Sequence, residues 1–537
     1  MQSLLLALLG AWAIQPTAAH VAHARDQGQC KQTTVVVLGG GMAGIAAAQA
    51  LHNASMDDFV ILEYNDRIGG RAWHQPFGKK KDGSPYIIEN GCNWVQGLGT
   101  PGGPQNPVWT LAQLYNLSTI YSNYSNLSTY NHNGYSDYSY LLDEYDEAYD
   151  IANVNAGVIL TENLQDPTAK TGLAMAGWRP KMTDMEAQAV DWWSWDFEDA
   201  YMPADSSFVF GCAGSNLTSN GFSDEDNFVT DPRGFSALID GMASTFLRRN
   251  DSRLHLNTQV TNISYTPSGV TITTASGDCI QAAYAITTFS LGVLQQSDAV
   301  TFTPALPKWK QESIQAFTMG TYTKIFFQFN ETFWPADTQY LLYADPVTRG
   351  WYPIWQSLST PGFFEDSGII FVTVTQEFAH RAERQSDEQT KQEALAVLRA
   401  MFPNVTVPDP VAFHYPRWTT EPWSYGSYSN WPPAVTLEMH ENLRANVDRV
   451  WFAGEATSPG YFGFLHGAWF EGRAAGVEIA RLLDGKCTAV GARNATSSSK
   501  ACTGRKRYEV LHGTSPLADY TAVNGWTANS FYDFNED

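Results

Sequence analysis

The chain has 537 residues, with 33 Lys plus Arg against 55 Asp plus Glu, a formal net charge of -22. At about 150 residues per domain this is several domains, and 44% hydrophobic with only 16% charged residues excludes a disordered or fibrous chain. Such acidity repels phosphate backbones, so no nucleic-acid partner is expected, whereas a cationic substrate is compatible with it.

The amino terminus carries an address. Leu4 to Ile14 is an apolar run too short to span a bilayer, and it leads into Ala22-His23-Ala24, an A-x-A cleavage signal. Thr17-Ala18-Ala19 is a second candidate cut. Residues 1–24 are therefore expected to be a signal peptide, and the mature protein to be secreted and extracellular. The first charged side chain is Arg25, so the full -22 survives removal of the leader. No later stretch reaches about 18 apolar residues, so no membrane anchor is expected. Sequons at Asn53, Asn116, Asn123, Asn126, Asn216, Asn250, Asn262, Asn330, Asn404 and Asn494 suit an N-glycosylated protein. Six scattered cysteines (Cys30, Cys92, Cys212, Cys279, Cys487 and Cys502) show no metal-ligand spacing. No metal is expected, and disulfide connectivity is not readable.

Thr33 to Leu38 is a β-branched apolar run, the pattern of a buried parallel strand. It enters Gly39-Gly40-Gly41-Met42-Ala43-Gly44, an Ala-rich helical stretch, then a second strand, Phe59-Val60-Ile61-Leu62, ending at Glu63. Gly39 permits the tight turn, Gly41 lets a pyrophosphate approach the backbone, and Gly44 lets helix and strand pack closely. Free N–H groups at Met42 and Ala43 and the positive helix end favour phosphate. Glu63 is placed to accept hydrogen bonds from a ribose diol. The stretch Glu63-Tyr64-Asn65-Asp66-Arg67-Ile68-Gly69-Gly70-Arg71 adds close backbone approach at the two glycines and a charge-neutralising Arg71.

This E-x-x-x-R-x-G-G-R element resembles the opening of the flavin-containing amine oxidases. Gly91-Cys92-Asn93-Trp94-Val95-Gln96-Gly97 with Asn106-Pro107-Val108-Trp109 is similar to the flavin-facing segment of the polyamine oxidase branch, especially its secreted plant-type members. Leu254 to Tyr265 and Gly269 to Ala275 read as a hairpin around Val260, where the family grips adenine. Val450 to Thr457, including Gly454 and Glu455, precedes Tyr461 to Leu483, which resembles the family's last strand and flavin-contacting helix. Ala468, Gly472, Ala475, Gly476 and Ile479 recur there at helical spacing and allow close packing.

The resemblance implies an α/β plus α+β protein: a discontinuous Rossmann-like FAD-binding domain over 33–117, 230–323 and 436–485, and a mixed-sheet substrate-binding domain over 118–229 and 324–435. Residues 486–537 fall outside it and read as a C-terminal tail. It further implies non-covalent FAD, since no cysteine lies between Cys279 and Cys487, where mitochondrial-type relatives attach the cofactor. The implied reaction is hydride transfer from a neutral amine to flavin N5, hydrolysis of the imine to an aldehyde, and reduction of O2 to H2O2. The partners are then a small amine or polyamine and O2.

Within Thr321 to Phe329 the alternation is that of a strand with Lys324 among apolar neighbours. Read from the residues alone, Lys324 suits a solvent-facing position equally well; the resemblance makes it the catalytic lysine beside flavin N5. Tyr428, in Tyr425 to Pro432, and Phe464, after Gly463, match the two aromatic walls over the flavin, with Trp94, Tyr322 and Trp418 as further neighbours. Where plant-type members carry an acid in W-V-E-G, this chain has Gln96. Glu198, in Asp196-Phe197-Glu198-Asp199, either supplies charge from the opposite wall or belongs to a solvated acidic loop. A secreted L-amino acid oxidase shares the implied fold and chemistry but needs a cation for the substrate carboxylate. A non-catalytic secreted binding protein of the same fold is the other alternative.

Overall fold

The computed structural model describes residues 30–162, 164–219 and 221–484. The expected signal peptide, the tail, Cys487, Cys502 and the sequon at Asn494 lie outside the described residues.

The first apolar run forms the strand Lys31–Leu38, whose last four residues are buried. Buried on both faces, it runs parallel to Phe59–Leu62 on one side and Cys279–Thr287 on the other. These belong to an eight-stranded sheet in the order 254–255, 59–62, 31–38, 279–287, 269–274, 260–266, 301–303, with Val450–Phe452 also parallel to Cys279–Thr287. A disulfide joins Cys30 to Cys279 at the start of the two neighbouring strands. One expected feature is corrected here. Leu254 to Tyr265 is not one arm of a hairpin: Leu254–His255 pairs with Phe59–Leu62, and only Val260–Thr266 pairs with Gly269–Thr274. Asn257, at φ 51, turns the chain between them, a left-handed conformation that no continuous strand accommodates.

The helix Met42–Asn53 crosses this sheet and packs against the last helix, Leu465–Leu483. Contact is at backbone distance. A Cβ on Gly472 would collide with the carbonyl of Ala43, and one on Gly476 with that of Ala47. The small residues of the last helix therefore do what their spacing suggests: they let one helix lie against another without side chains between.

A second, seven-stranded sheet runs in the order 412–414, 322–328, 369–375, 354–357, 340–344, 127–131, 134–135. It is mixed, since Tyr340–Ala344 pairs parallel with Leu127–Asn131 and the other pairs are antiparallel. Helices Tyr140–Thr161, Ala169–Ala176, Met185–Asp191 and Phe208–Ser219 are clustered between these strands in sequence. The fold is thus a mostly parallel dinucleotide-type layer, with Gly269–Thr274 antiparallel to both its neighbours, joined to an α+β layer. A small sheet, Trp94–Gln96 with Asp226–Val229 and Thr119–Tyr121, and the pair Thr318–Met319 with Ser429–Asn430 stitch the two together.

Candidate active site

A cavity of about 480 Å³ runs from the Gly39 turn to the aromatic residues at the junction of the two sheets. The glycine turn forms one end. Gly39 has φ 115, and a side chain there would strike the Thr288 hydroxyl. Gly44 lies behind the cavity wall, where a Cβ would collide with the Gly39 carbonyl oxygen. Gly41 is different: a Cβ there would meet only the Gly70 Cα, at 3.8 Å, so the missing side chain leaves open space along the cavity. No side chain caps the helix that begins at Met42, so its first N–H groups remain available at the cavity wall. The buried Glu63 carboxylate is fixed by the Gly40 N–H at 2.6 Å and by the Asn65 backbone and side-chain N–H at 2.8 and 2.9 Å.

The middle of the cavity is built by residues distant in sequence. Arg71 donates to the Ser427 carbonyl at 2.8 Å and pairs with Glu455 at 2.9 Å. Glu455 also accepts from the Ser429 N–H and hydroxyl and from the Gly463 N–H. One buried carboxylate thus ties the arginine loop, the 427–430 segment and the start of the last helix around the same space. Val260 lines the glycine-turn end, and Trp418, edge-on to Trp73 and Trp423 at 5.7 Å, lines the side. Gly454, with open space around a hypothetical Cβ, again leaves room for a ligand.

The far end is aromatic and acidic. Ring contacts run from Trp94 to Phe197 at 6.2 Å, Phe197 to Tyr322 at 5.9 Å, and Tyr322 to Tyr428 at 6.0 Å. The Tyr428 hydroxyl donates to the Glu198 carbonyl at 2.6 Å, and Gly463 leaves space beside its ring. Phe464 lines the same end and stacks on His466 at 5.0 Å. Gln96 and Glu198 face one another: the Gln96 amide donates to the Glu198 carboxylate at 3.0 Å. Burial pushes the Glu198 carboxyl up to about 7, with the neighbouring Asp226 charge adding to it and the Gln96 hydrogen bond opposing it. Glu198 is therefore part of the cavity wall and not a solvated loop.

Lys324 is 1% exposed on a strand buried on both faces, so the solvent-facing reading does not hold. Its ammonium donates to the Gly91 carbonyl at 2.5 Å and lies 6.0 Å from the Trp94 ring centre. It sits one layer behind the wall: Gly91 and Trp94 line the cavity and Lys324 does not. Burial pulls its ammonium below the usual lysine range, opposed by the nearby Glu89 and Cys92. Burial likewise pushes Glu89 upward; one of its oxygens accepts from the Phe235 N–H at 2.6 Å and the other is buried without a partner.

Of the site residues singled out from sequence, all but Gly44 and Lys324 line this one cavity. Sequence reasoning missed Asp199, Tyr124, Phe197, Tyr425 and Phe462, which line it too. Asp199 and Phe462 adjoin singled-out residues, but nothing in the linear pattern tells which neighbour turns inward.

Residues 42–480 match the family described as flavin containing amine oxidoreductase. The chain belongs to this family. It is 35% identical over 464 residues to polyamine oxidase 6 of Oryza sativa subsp. japonica, covering 84% of this chain and 90% of that protein. It is 36% identical to polyamine oxidase 1 of Zea mays, covering 82% of this chain and 88% of that one. A solved structure of wild-type putrescine oxidase bound to putrescine has the same fold, with a TM-score of 0.66 at 18% identity, over 84% of this chain and 99% of that one. The cofactor of the family is FAD. The residues present fit it: open glycine positions at Gly41 and Gly454, an uncapped helix end for phosphate, and a fixed acid at Glu63 for a diol.

Proposed function

We propose that this protein oxidises linear polyamines with non-covalently bound FAD, releases hydrogen peroxide, and acts outside the cell. The observation that carries the substrate class is the charge of the cavity wall. Among the described residues that line it, Arg71 is the one Lys, Arg or His, and it is committed to Glu455. Glu198 and Asp199 line the far end. An amino acid carboxylate finds no free cation there, whereas an ammonium finds acids and aromatic faces. This favours an amine over an L-amino acid.

Bound FAD would supply the hydride-accepting and oxygen-reducing chemistry, so that amine, O2 and water become aldehyde, shortened amine and H2O2. The chain's own residues do the rest. Gly41, Met42, Ala43, Glu63, Val260 and Arg71 would hold the cofactor. Tyr322, Tyr428, Phe464 and Trp94 confine the amine between rings and exclude water. Glu198 attracts the substrate cation and, with its raised pKa, takes up or gives a proton near neutrality. Lys324, with its lowered pKa, can hold or release a proton at the Gly91 carbonyl, beside the cavity. Cys92 lines the cavity as a free thiol, but burial pushes it up to about 12, which leaves little thiolate for covalent attachment and supports non-covalent binding.

The Cys30–Cys279 disulfide fits an oxidising compartment. The sequon residues Asn53, Asn116, Asn123, Asn250, Asn330 and Asn404 are exposed, as N-glycans require. A net charge of -22 would draw polycations toward the protein from a distance. No helix among the described residues is long and apolar enough to cross a membrane.

A peroxide assay with spermine, spermidine and their acetylated forms beside leucine and phenylalanine tests the substrate class. Peroxide from the amino acids alone would overturn it. Expression in a eukaryotic host tests the compartment: the protein is expected in the medium, shrinking on N-glycosidase treatment, and unglycosylated retention inside the cell would refute secretion.

A further inference from the structure

Position 96 holds an amide, so the cavity end beside Trp94 lacks the acid that the resemblance leads one to expect there. The opposite wall carries two acids in succession. Glu198 and Asp199 end the short helix Phe197–Asp199, which Ala200 closes with φ 57. The acids just before them are already satisfied. Arg349 forks onto Asp196 through two contacts of 2.7 Å and pairs with Asp191 at the same distance. That clamp pins the segment and uses up its cation. Glu198 and Asp199 have no ion pair among the described residues. Among the described residues the Glu198 carboxylate accepts one hydrogen bond, from Gln96, and the Asp199 carboxylate accepts none.

Successive residues of a helix point about 100° apart, so these two carboxylates address different points of the same cavity. Asp199 lies close enough to the helix Phe208–Ser219 for its charge to act on the Cys212 thiol, and Gly214 and Ser215 of that helix line the cavity too, as does Phe462. A Cβ on Gly214 would come within 3.0 Å of the Phe462 ring, so the glycine lets that ring pack directly against the helix. The acids do not form a metal site: among the described residues no three His, Cys, Asp or Glu side chains are placed to hold an ion. An uncompensated carboxylate in a confined apolar-walled space is costly unless a cation meets it.

We propose that Asp199 anchors a second ammonium of the substrate, taking over from the opposite wall the charge that Gln96 does not provide. The inference rests on the polyamine reading and deepens it: the preferred substrate carries at least two cationic nitrogens, one held near Glu198 and one at Asp199. Burial, with the charges of Glu198 and Asp196, holds the Asp199 carboxyl well above its usual range. A docked ammonium reverses that balance, so binding is accompanied by proton release.

The test compares steady-state oxidation of spermidine with that of N-methylhexylamine, a secondary amine with one nitrogen, in the wild-type holoenzyme and in Asp199→Asn and Asp199→Glu. Removing one partner of a buried charge pair should raise KM for spermidine on the order of 30-fold. The monoamine KM and both kcat values should change little, and Asp199→Glu should retain most of the spermidine preference. Stabilisation of the oxidised enzyme by spermidine in a thermal melt should shrink in parallel, a readout independent of turnover. An unchanged spermidine-to-monoamine ratio in a folded, flavin-replete Asp199→Asn would overturn the assignment of Asp199 while leaving the polyamine reading intact. A wild-type enzyme that oxidises neither spermidine nor any other polyamine would overturn both. If Asp199→Asn does not fold, the wild-type comparison decides: equal KM values for the diamine-bearing and single-nitrogen substrates reject a second ammonium anchor.

Discussion

Replacing Glu198 by Gln should remove one of the two proton releases, at Glu198 and at Asp199, that make polyamine binding pH-dependent near neutrality. The Glu198 carboxyl is pushed up to about 7 from an ordinary value of 4.5. Burial is the main cause, the Asp226 charge adds to it, and the Gln96 hydrogen bond at 3.0 Å works against it. Only the ionised carboxylate attracts an ammonium strongly. One pH unit below the pKa about one carboxyl in ten is ionised, a cost of about 1.4 kcal/mol. From Glu198 alone the wild-type Kd for spermidine should therefore weaken roughly tenfold per unit as pH falls from 7 toward 5. The Gln variant should bind on the order of 30-fold more weakly at pH 8 and show a shallower slope across that range, with Asp199 alone releasing a proton. Anaerobic titration of the holoenzyme, followed by thermal shift or the visible flavin bands, gives Kd without turnover. Parallel pH curves for wild type and variant would refute the reasoning, because the titrating group would then lie elsewhere. Stability carries the opposite sign. A carboxyl whose pKa is raised by folding favours the folded state below about 4.5, and that contribution is lost as pH rises through about 7. The loss is at most about 3 kcal/mol. It should be absent in Glu198→Gln and offset by bound polycation.

Lys324→Met removes the donor to Gly91 and the cation near Glu89, and should cost about 1–3 kcal/mol of stability. It should also slow reoxidation of the reduced flavin in stopped flow; unchanged oxygen kinetics would remove Lys324 from the proton handling. Gly44→Ala places a methyl against the Gly39 carbonyl oxygen and should cost about 3 kcal/mol or more. Purified protein with normal 450 nm absorbance and an unaltered melting temperature would contradict that close packing. Glu455→Gln breaks the buried pair with Arg71 and weakens the junction at Ser429 and Gly463, for about 3–5 kcal/mol. Flavin content and melting temperature should fall together, and loss of neither would show the pair to be dispensable. Replacing Cys30 and Cys279 by Ser should cost about 2–4 kcal/mol. A melting temperature insensitive to both the substitutions and reductant argues against the bond.

Much of the cofactor end was legible because its chemistry is local. A β-branched run, glycines at fixed offsets, a helix and an acid lie within residues 31–63, and each obeys a rule of backbone geometry that applies before any tertiary contact forms. The small residues of the last helix likewise announced a close backbone contact, though not that Ala43 and Ala47 are the partners. The substrate end was legible only through resemblance, and unevenly. Lys324 has the sequence of an alternating strand, and its burial follows from the distant segment 89–94, which lies over its side chain through Glu89, Gly91, Cys92 and Trp94.

The sequence by itself determined the dinucleotide-type turn, the apolar periods and the charge of -22, since these depend on residue type and short spacing. The tertiary structure decided where that charge counts. It commits Asp191 and Asp196 to Arg349, sets Gln96 against Glu198, and leaves the Asp199 carboxylate without an ion-pair partner among the described residues. Pairing and burial are properties of neighbours brought together across the chain, and they determine which acids are neutralised and which remain for a substrate.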